Sequence, residues 1–259
     1  MFIDSHCHLD RLDLSAHDNS LQGVLDAAAA RDVSRMLCVA IDMQQFPAMY
    51  ETVSKYDNVF ASVGVHPLHV DQGVVEVETL ITHAADPKIV ALGETGLDYF
   101  YQKDTVDAQQ ESFIRHLQAS AASRLPVIVH TRDARDDTIK LLRQHADPEV
   151  GGVLHCFTES WEMAQQALEF NYMISFSGII TFRNAEELRE VVRKVPMESI
   201  LIETDAPYLT PVPYRGKPNE PQYVVEVAQC VADIKGISVA EVARVTTANF
   251  DRLFPKAAV

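Results

Sequence analysis

Cysteine is scarce in this chain, and no two cysteines are near each other. Cys7, Cys38, Cys156 and Cys230 form no Cys-x-x-Cys pair, which argues against a disulfide-stapled scaffold or a thiolate-built zinc site. Reduced, buried thiols in a cytoplasmic protein are the expected reading. No apolar run approaches the ~18 residues of a membrane span. The opening Met1-Phe2-Ile3-Asp4 also lacks the basic segment and apolar stretch of an export signal, so no membrane association is expected. Positive charge is short as well: 22 Lys and Arg stand against 37 Asp and Glu, a formal net charge of −15. Proteins that grip duplex DNA through many phosphates show a basic face. This composition argues against that mode and favours strand ends, short single-stranded oligonucleotides or a small ester or amide as substrate. There is no Gly/Ser-rich linker, low-complexity tract or internal repeat. At 259 residues, with 47% apolar and 23% charged, the chain can bury a core without cross-links. A single domain over residues 1–259 is expected.

What is abundant is alternation. Short apolar, β-branched runs recur at Phe2–Ile3, Met36–Ile41, Val59–Val65, Ile89–Leu92, Val127–Val129, Val153–Leu154, Met173–Phe176 and Ile200–Ile202. They are continuously apolar, which suits strands covered on both faces as in parallel sheets. Between them lie helical patterns. Leu188, Val191, Val192 and Val195 share one face, with Asn184 and Glu187 as a capping pair; Val224, Val227, Ala228 and Val231 share another. Ser238 with Glu241 signals a last helix. Eight strand–helix units over this length predict a single (β/α)8 TIM-like barrel, although a doubly wound open sheet fits the same alternation. The stretch Pro207–Pro221 then becomes the long loop after the eighth strand.

Catalytic groups of such barrels sit at the C-terminal ends of the strands. About one of the ten histidines would fall there by chance, since those ends cover only ~24 positions. Five do: His6, His8, His66, His130 and His155, joined by Glu94 at the end of the fourth strand and Asp205 just past the eighth. Side chains alternate along a strand, so His6 and His8 face one way and Cys7 the other. The set His6, His8, Glu94, His130, His155 and Asp205 offers four imidazoles and two carboxylates without a thiolate, which suits Zn, Mn, Ni, Co or Fe. Six ligands exceed the needs of one catalytic cation, so two divalent metals bridged by Glu94 are expected.

These residues carry a family resemblance. The segments Phe2-Ile-Asp-Ser-His-Cys-His-Leu-Asp10, Gly93-Glu-Thr-Gly-Leu-Asp-Tyr99, Pro126-Val-Ile-Val-His-Thr-Arg-Asp133 and Leu201-Ile-Glu-Thr-Asp-Ala-Pro207 resemble the TatD family of metal-dependent hydrolases, within the amidohydrolase-like metal barrels. Gly64-Val-His-Pro67, Leu154-His-Cys-Phe157 and Ser175-Phe-Ser-Gly178 bring the match closest to its YcfH-like branch. The resemblance spans essentially the whole chain. It implies a TIM-like barrel, two divalent cations (Mg joining the metals above) and phosphodiester hydrolysis, some members being 3′–5′ exonucleases on DNA or RNA. By position it implies that His6, His8, Glu94 and Asp205 hold one metal and Glu94, His130 and His155 the other.

Asp205 is the candidate general base for a water whose pKa the cations would pull toward neutrality. His66 is a candidate hydrogen-bond partner of the scissile group, with a rim histidine bonded to Glu94 as the alternative. Arg132 and Arg183 are candidate phosphate clamps, the alternative being ion pairs with Asp133 and Glu187. Tyr214, Arg215 and Lys217, in the Pro-rich loop, and Tyr99 and Tyr101 are candidates for holding a base or terminal phosphate. A deoxyribonuclease-type phosphodiesterase acting on single-stranded ends leads. A carbonyl-directed hydrolase of an amide, lactone or aminoacyl ester uses the same site, and a non-catalytic metal-binding protein comes third. No obligate protein partner is evident.

Overall fold

The computed structural model describes residues 1–258. Eight parallel strands pair in chain order: β1 (Phe2–Cys7), β2 (Val33–Cys38), β3 (Val59–Val63), β4 (Ile89–Asp98), β5 (Val127–Arg132), β6 (Gly152–Leu154), β7 (Tyr172–Phe176) and β8 (Ile200–Ile202). The ring is drawn together by a parallel bridge between Cys7 and Ala206, with Asp205 N–H donating to His6 O at 2.9 Å and His8 N–H to Ala206 O at 2.8 Å. The helices are α1 (Leu21–Ala29), α2 (Phe46–Val53), α3 (Val77–Ala84), α4 (Val106–Ser123), α5 (Arg135–His145), α6 (Trp161–Leu168), α7 (Glu186–Lys194), α8 (Val224–Lys235) and α9 (Val239–Leu253). The architecture is a TIM-like (β/α)8 barrel, and none of the described helices is long and apolar enough to cross a membrane.

The apolar runs form strands because each is buried on both faces. One cluster fills the space between strands and helices, and includes Cys7 and Cys38. A second takes Ile3, Leu37, Phe60, Val90, Ile128, Val153, Met173 and Leu201, one from every strand, together with Phe250, Leu253 and Phe254 at the end of α9. The latter three plug the N-terminal end of the barrel: Thr247 Oγ1 reaches Met1 O and Asp251 pairs with Arg35. The C-terminal end is left for polar side chains.

Three strands, β1, β4 and β5, run further than their apolar segments suggest. Glu94 lies inside β4, not at its end, because pairing resumes beyond it: Thr95 with Val129, Gly96 with His130, Leu97 with Thr131 and Asp98 with Arg132, after a register shift between Leu92 and Thr95. Gly96 makes this approach possible. At φ +133° a Cβ there would sit 2.0 Å from His130 O. The cap on α7 also differs. The chain turns from Phe182 to Ala185, so Ala185 takes the N-cap without a side-chain bond and Asn184 stays outside. Leu188, Val191 and Val192 are nevertheless buried, as are the expected residues of α8. Ser238 Oγ accepts from Glu241 N–H at 3.1 Å.

A buried histidine on α4 holds the top of β3. His116 Nε2 accepts from Val65 N–H at 3.2 Å and its Nδ1 donates to Ser112 O at 2.7 Å, a pattern available only to the neutral ring. Burial pushes its pKa down to about 4. In the unfolded chain it titrates near 6.5. Its contribution to stability is therefore complete above pH 6.5 and is lost as pH falls toward 4, by about 2 kcal/mol at pH 5. Urea unfolding at pH 7 and pH 5 checks this: wild type should lose about 2 kcal/mol more than His116→Gln, which keeps an acceptor but does not titrate. Equal losses would remove His116 as the source.

Candidate metal centre

The C-terminal ends of β1, β5 and β6, the interior of β4 and the segment beyond β8 bring all six expected ligands into one cluster. Glu94 is its hub. Its Oε2 lies 3.4 Å from His6 Nε2, and its Oε1 lies 2.7 Å from His155 Nε2, 3.3 Å from His130 Nδ1 and 3.3 Å from His66 Nε2. Asp205 Oδ1 lies 3.5 Å from His8 Nε2 and 3.7 Å from His6 Nε2. Three triads have donor atoms close enough to share a cation: His6, His8 and Asp205; His6, His155 and Glu203, which has His6 in common with the first; and, separately, His66, Glu94 and His130.

Three of the imidazoles are oriented from behind. His8 Nδ1 donates to Val39 O at 2.9 Å, leaving Nε2 toward Asp205. His155 Nδ1 lies 3.3 Å from Glu203 Oε1, and His130 Nε2 lies 3.1 Å from Asp98 Oδ2. Carboxylates or carbonyls in this position fix ring orientation and raise ligand basicity. Glu203 and Asp98 are the functional residues the sequence reading missed. Both lie within the motifs quoted above, and only the general need of a candidate histidine ligand for an outer acceptor could have pointed toward such residues, without saying which. The segment that carries Asp205 is fixed by Asp4, which accepts from Thr204 N–H at 2.9 Å and Thr204 Oγ1 at 2.5 Å. Burial raises the Asp4 pKa to about 8 in spite of those bonds.

The electrostatics fit a cation. Burial opposes ionisation of Glu94 and Asp205, but the surrounding imidazoles outweigh it and both pKa values are lowered. Burial likewise opposes a charged His155, yet Glu94 and Glu203 raise its pKa well above the usual value. His6 goes the other way: burial and the proximity of His155, whose ring stacks on it at 3.9 Å, lower its pKa. Both His6 ring nitrogens are buried without a hydrogen-bond partner. An unpaired imidazole facing two carboxylate oxygens at 3.4 and 3.7 Å is costly unless something bonds to both. An all-nitrogen-and-oxygen donor set of this kind suits a divalent cation.

His66 is arranged differently. Its Nδ1 accepts from Leu68 N–H at 3.0 Å, so its proton sits on Nε2, which points at Glu94. Burial lowers its pKa to about 4. It enters the site as a neutral hydrogen-bond donor.

Around the mouth, basic side chains are left free. Several other arginines pair with carboxylates, Arg31 with Glu226, Arg35 with Asp251, Arg135 with Glu159 and Arg189 with Glu186, whereas Arg143 lies over Phe170 and Arg252 bonds Glu198 O. Among the described residues no carboxylate oxygen lies within 4.0 Å of Arg132, Arg183 or Arg215. The alternative pairs with Asp133 and Glu187 are not formed. Arg132 lies over Phe100 and Tyr101, and Arg215 over Phe182 at 4.0 Å with a bond to Thr210 O. Tyr214 stacks on Tyr223 at 4.3 Å, with Lys217 Nζ 5.8 Å from its ring. Tyr99 is engaged at its hydroxyl by Asp137 and Gln110. Buried Asn219 pins the Pro-rich loop through Thr204 O at 2.8 Å and Tyr208 O.

The family model for TatD related DNase matches residues 3–255. The metal-dependent hydrolase YcfH of Escherichia coli K12 is 52% identical over 252 residues, covering 97% of this chain and 95% of the relative. YabD of Bacillus subtilis 168, also described as a metal-dependent hydrolase, is 38% identical over 255 residues, covering 98% and 99%. Among solved structures, the TatD homolog YjjV of E. coli K12 is similar with a TM-score of 0.90 at 30% identity, covering 98% of each chain.

Proposed function

The chain belongs to the TatD related DNase family, whose members are metal-dependent hydrolases, and from that footing we propose that it is a phosphodiesterase that shortens single-stranded nucleic acid from an end. One observation carries the choice of a phosphodiester over a carbonyl substrate. Three arginines at the mouth, Arg132, Arg183 and Arg215, have no carboxylate partner in a chain of net charge −15. Such guanidinium groups match phosphate in two-point geometry, whereas an amide, lactone or aminoacyl ester offers them no anion at the reacting group.

His6, His8, Glu94 and Asp205 would hold one divalent cation, and Glu94, His130 and His155 a second, drawn from Mg, Mn, Zn, Ni, Co or Fe. Bound there, such ions supply Lewis-acid stabilisation of negative charge and lower the pKa of a nearby water. The chain's own groups do the rest. Asp205 Oδ1 takes the proton of the attacking water. His66 Nε2–H donates to an oxygen of the scissile phosphate, and its hydrogen bond from Leu68 N–H keeps that proton on the inner nitrogen. The arginines without a carboxylate partner, with Lys217, hold the phosphates on either side, which binds and orients the strand in the ground state. The four cysteines are free, as suits the cytoplasmic setting we assign.

The test is digestion of 5′- and 3′-labelled single-stranded oligonucleotides with each metal supplied separately. A ladder shortening from one end is expected, weakening as salt rises. Protein shown by elemental analysis to hold its metals, yet inert on every oligonucleotide and active on lactones or aminoacyl esters, would transfer the assignment to carbonyl chemistry.

A further inference from the structure

The aromatic turn beyond β4 has no part in the chemistry above, and it is built with care. Phe100 and Tyr101 are 50% and 61% exposed, and their rings meet edge to face at 4.8 Å. The Arg132 guanidinium lies 4.4 Å from the centre of one ring and 4.8 Å from the other, with no carboxylate within 4.0 Å among the described residues. Apart from Met1, the large apolar side chains exposed among the described residues are Phe100, Tyr101, Tyr208 and Val212, all on loops leaving the C-terminal ends of strands. Tyr208 faces the cluster directly, its ring 6.1 Å from that of His8.

Backbone bonds, rather than packing beneath the rings, hold the turn in place. Asp98 Oδ1 accepts from Phe100 N–H at 3.0 Å and Tyr101 N–H at 2.8 Å, while its Oδ2 faces His130 Nε2 at 3.1 Å. Buried Gln109 completes the frame, accepting from Asp98 N–H at 2.8 Å and donating to Asp98 O and Gln102 O. One carboxylate therefore registers both an imidazole of the metal centre and the aromatic turn, so the rings stand at a fixed place relative to the reacting phosphate. Exposed rings beside an unpaired guanidinium are the means by which proteins hold unstacked bases. In a chain of net charge −15 such stacking also offsets repulsion of the sugar–phosphate backbone without needing a basic face.

Resting on the phosphodiesterase reading above, we propose that Tyr101, with Phe100 and Arg132, forms a stacking subsite for a base of the single-stranded substrate next to the scissile phosphodiester. The ring of Tyr101 takes the base, and Arg132 holds the neighbouring phosphate. Recognition is by the face of the base, so it tolerates any sequence.

The test is a binding cycle read by fluorescence anisotropy on metal-loaded protein. The probes are labelled, cleavage-resistant phosphorothioate octamers of thymidine and matched abasic octamers. Wild type should bind the base-bearing strand roughly tenfold more tightly than the abasic one. Tyr101→Ala should lose that factor on the base-bearing strand and change nothing on the abasic strand, with its melting temperature unaltered because the ring is outside the core. Equal weakening on both strands, or none on either, overturns the stacking subsite while leaving the phosphodiesterase reading intact. Wild type that binds neither strand overturns both.

Discussion

Glu94→Gln should be the most damaging single substitution in the protein, stripping metal and lowering turnover by at least ~10³-fold. The reason is geometric. One carboxylate lies between 2.7 and 3.4 Å from nitrogens of four imidazoles, those of His6, His66, His130 and His155, and it is the residue assigned to both cations. An amide of the same shape replaces an anionic acceptor by a neutral group with an NH2 donor, which faces nitrogens whose lone pairs a cation needs. Lewis-acid stabilisation of several kcal/mol would be lost with the metal, and each 1.36 kcal/mol is a factor of ten in rate. Elemental analysis after dialysis, alongside kcat on a labelled oligonucleotide, checks both halves. A folded Glu94→Gln protein that keeps wild-type metal content and turns over within tenfold of wild type would remove Glu94 from the centre of the site.

The sequence made the strands legible because each is covered on both faces. Runs such as Val59–Val65, of which Val59–Val63 forms β3, or Ile200–Ile202 can be little else in a chain of this alternation, and the barrel then says which ends matter. His6 and His8 were legible because spacing by two puts both rings on one side of β1. What escaped depends on approach between distant segments. Nothing near Asp98 or Glu203 in the chain announces that they lie behind His130 and His155; those contacts exist only once β4 meets β5 and β6 comes near the segment following β8. The length of β4 was hidden for a related reason. The apolar run stops at Leu92, and the glycines at 93 and 96 allow the close backbone contact with β5 that carries pairing on to Asp98. The free state of Arg132 and Arg183 was equally out of reach, since Asp133 and Glu187 are near in sequence yet make no pair with them.

Asp205→Asn should separate holding a cation from moving a proton. Among the carboxylates of the cluster, Asp205 is the one substrate water can reach: its side chain is 14% exposed, against 3% for Glu94 and none for Glu203. It is also held firmly, at φ +58°, with its N–H bonded to His6 O and the preceding Thr204 tied to Asp4. An asparagine has nearly the same shape and keeps an oxygen toward His8, but cannot accept a proton at neutral pH. Removing a general base typically costs 10²–10⁴-fold, so turnover should fall by roughly that factor even with metal added to saturation. His6, His8 and Glu94 remain to hold the first cation, and Glu94, His130 and His155 the second, so metal content at saturation should stay near wild type. The comparison that decides is kcat at saturating metal against metal content of the same sample. Loss of turnover with metal retained identifies Asp205 as the base. Full recovery of turnover at high metal would reduce it to a ligand, and the proton would then have to leave through another group, with His66 excluded because its inner nitrogen already carries one.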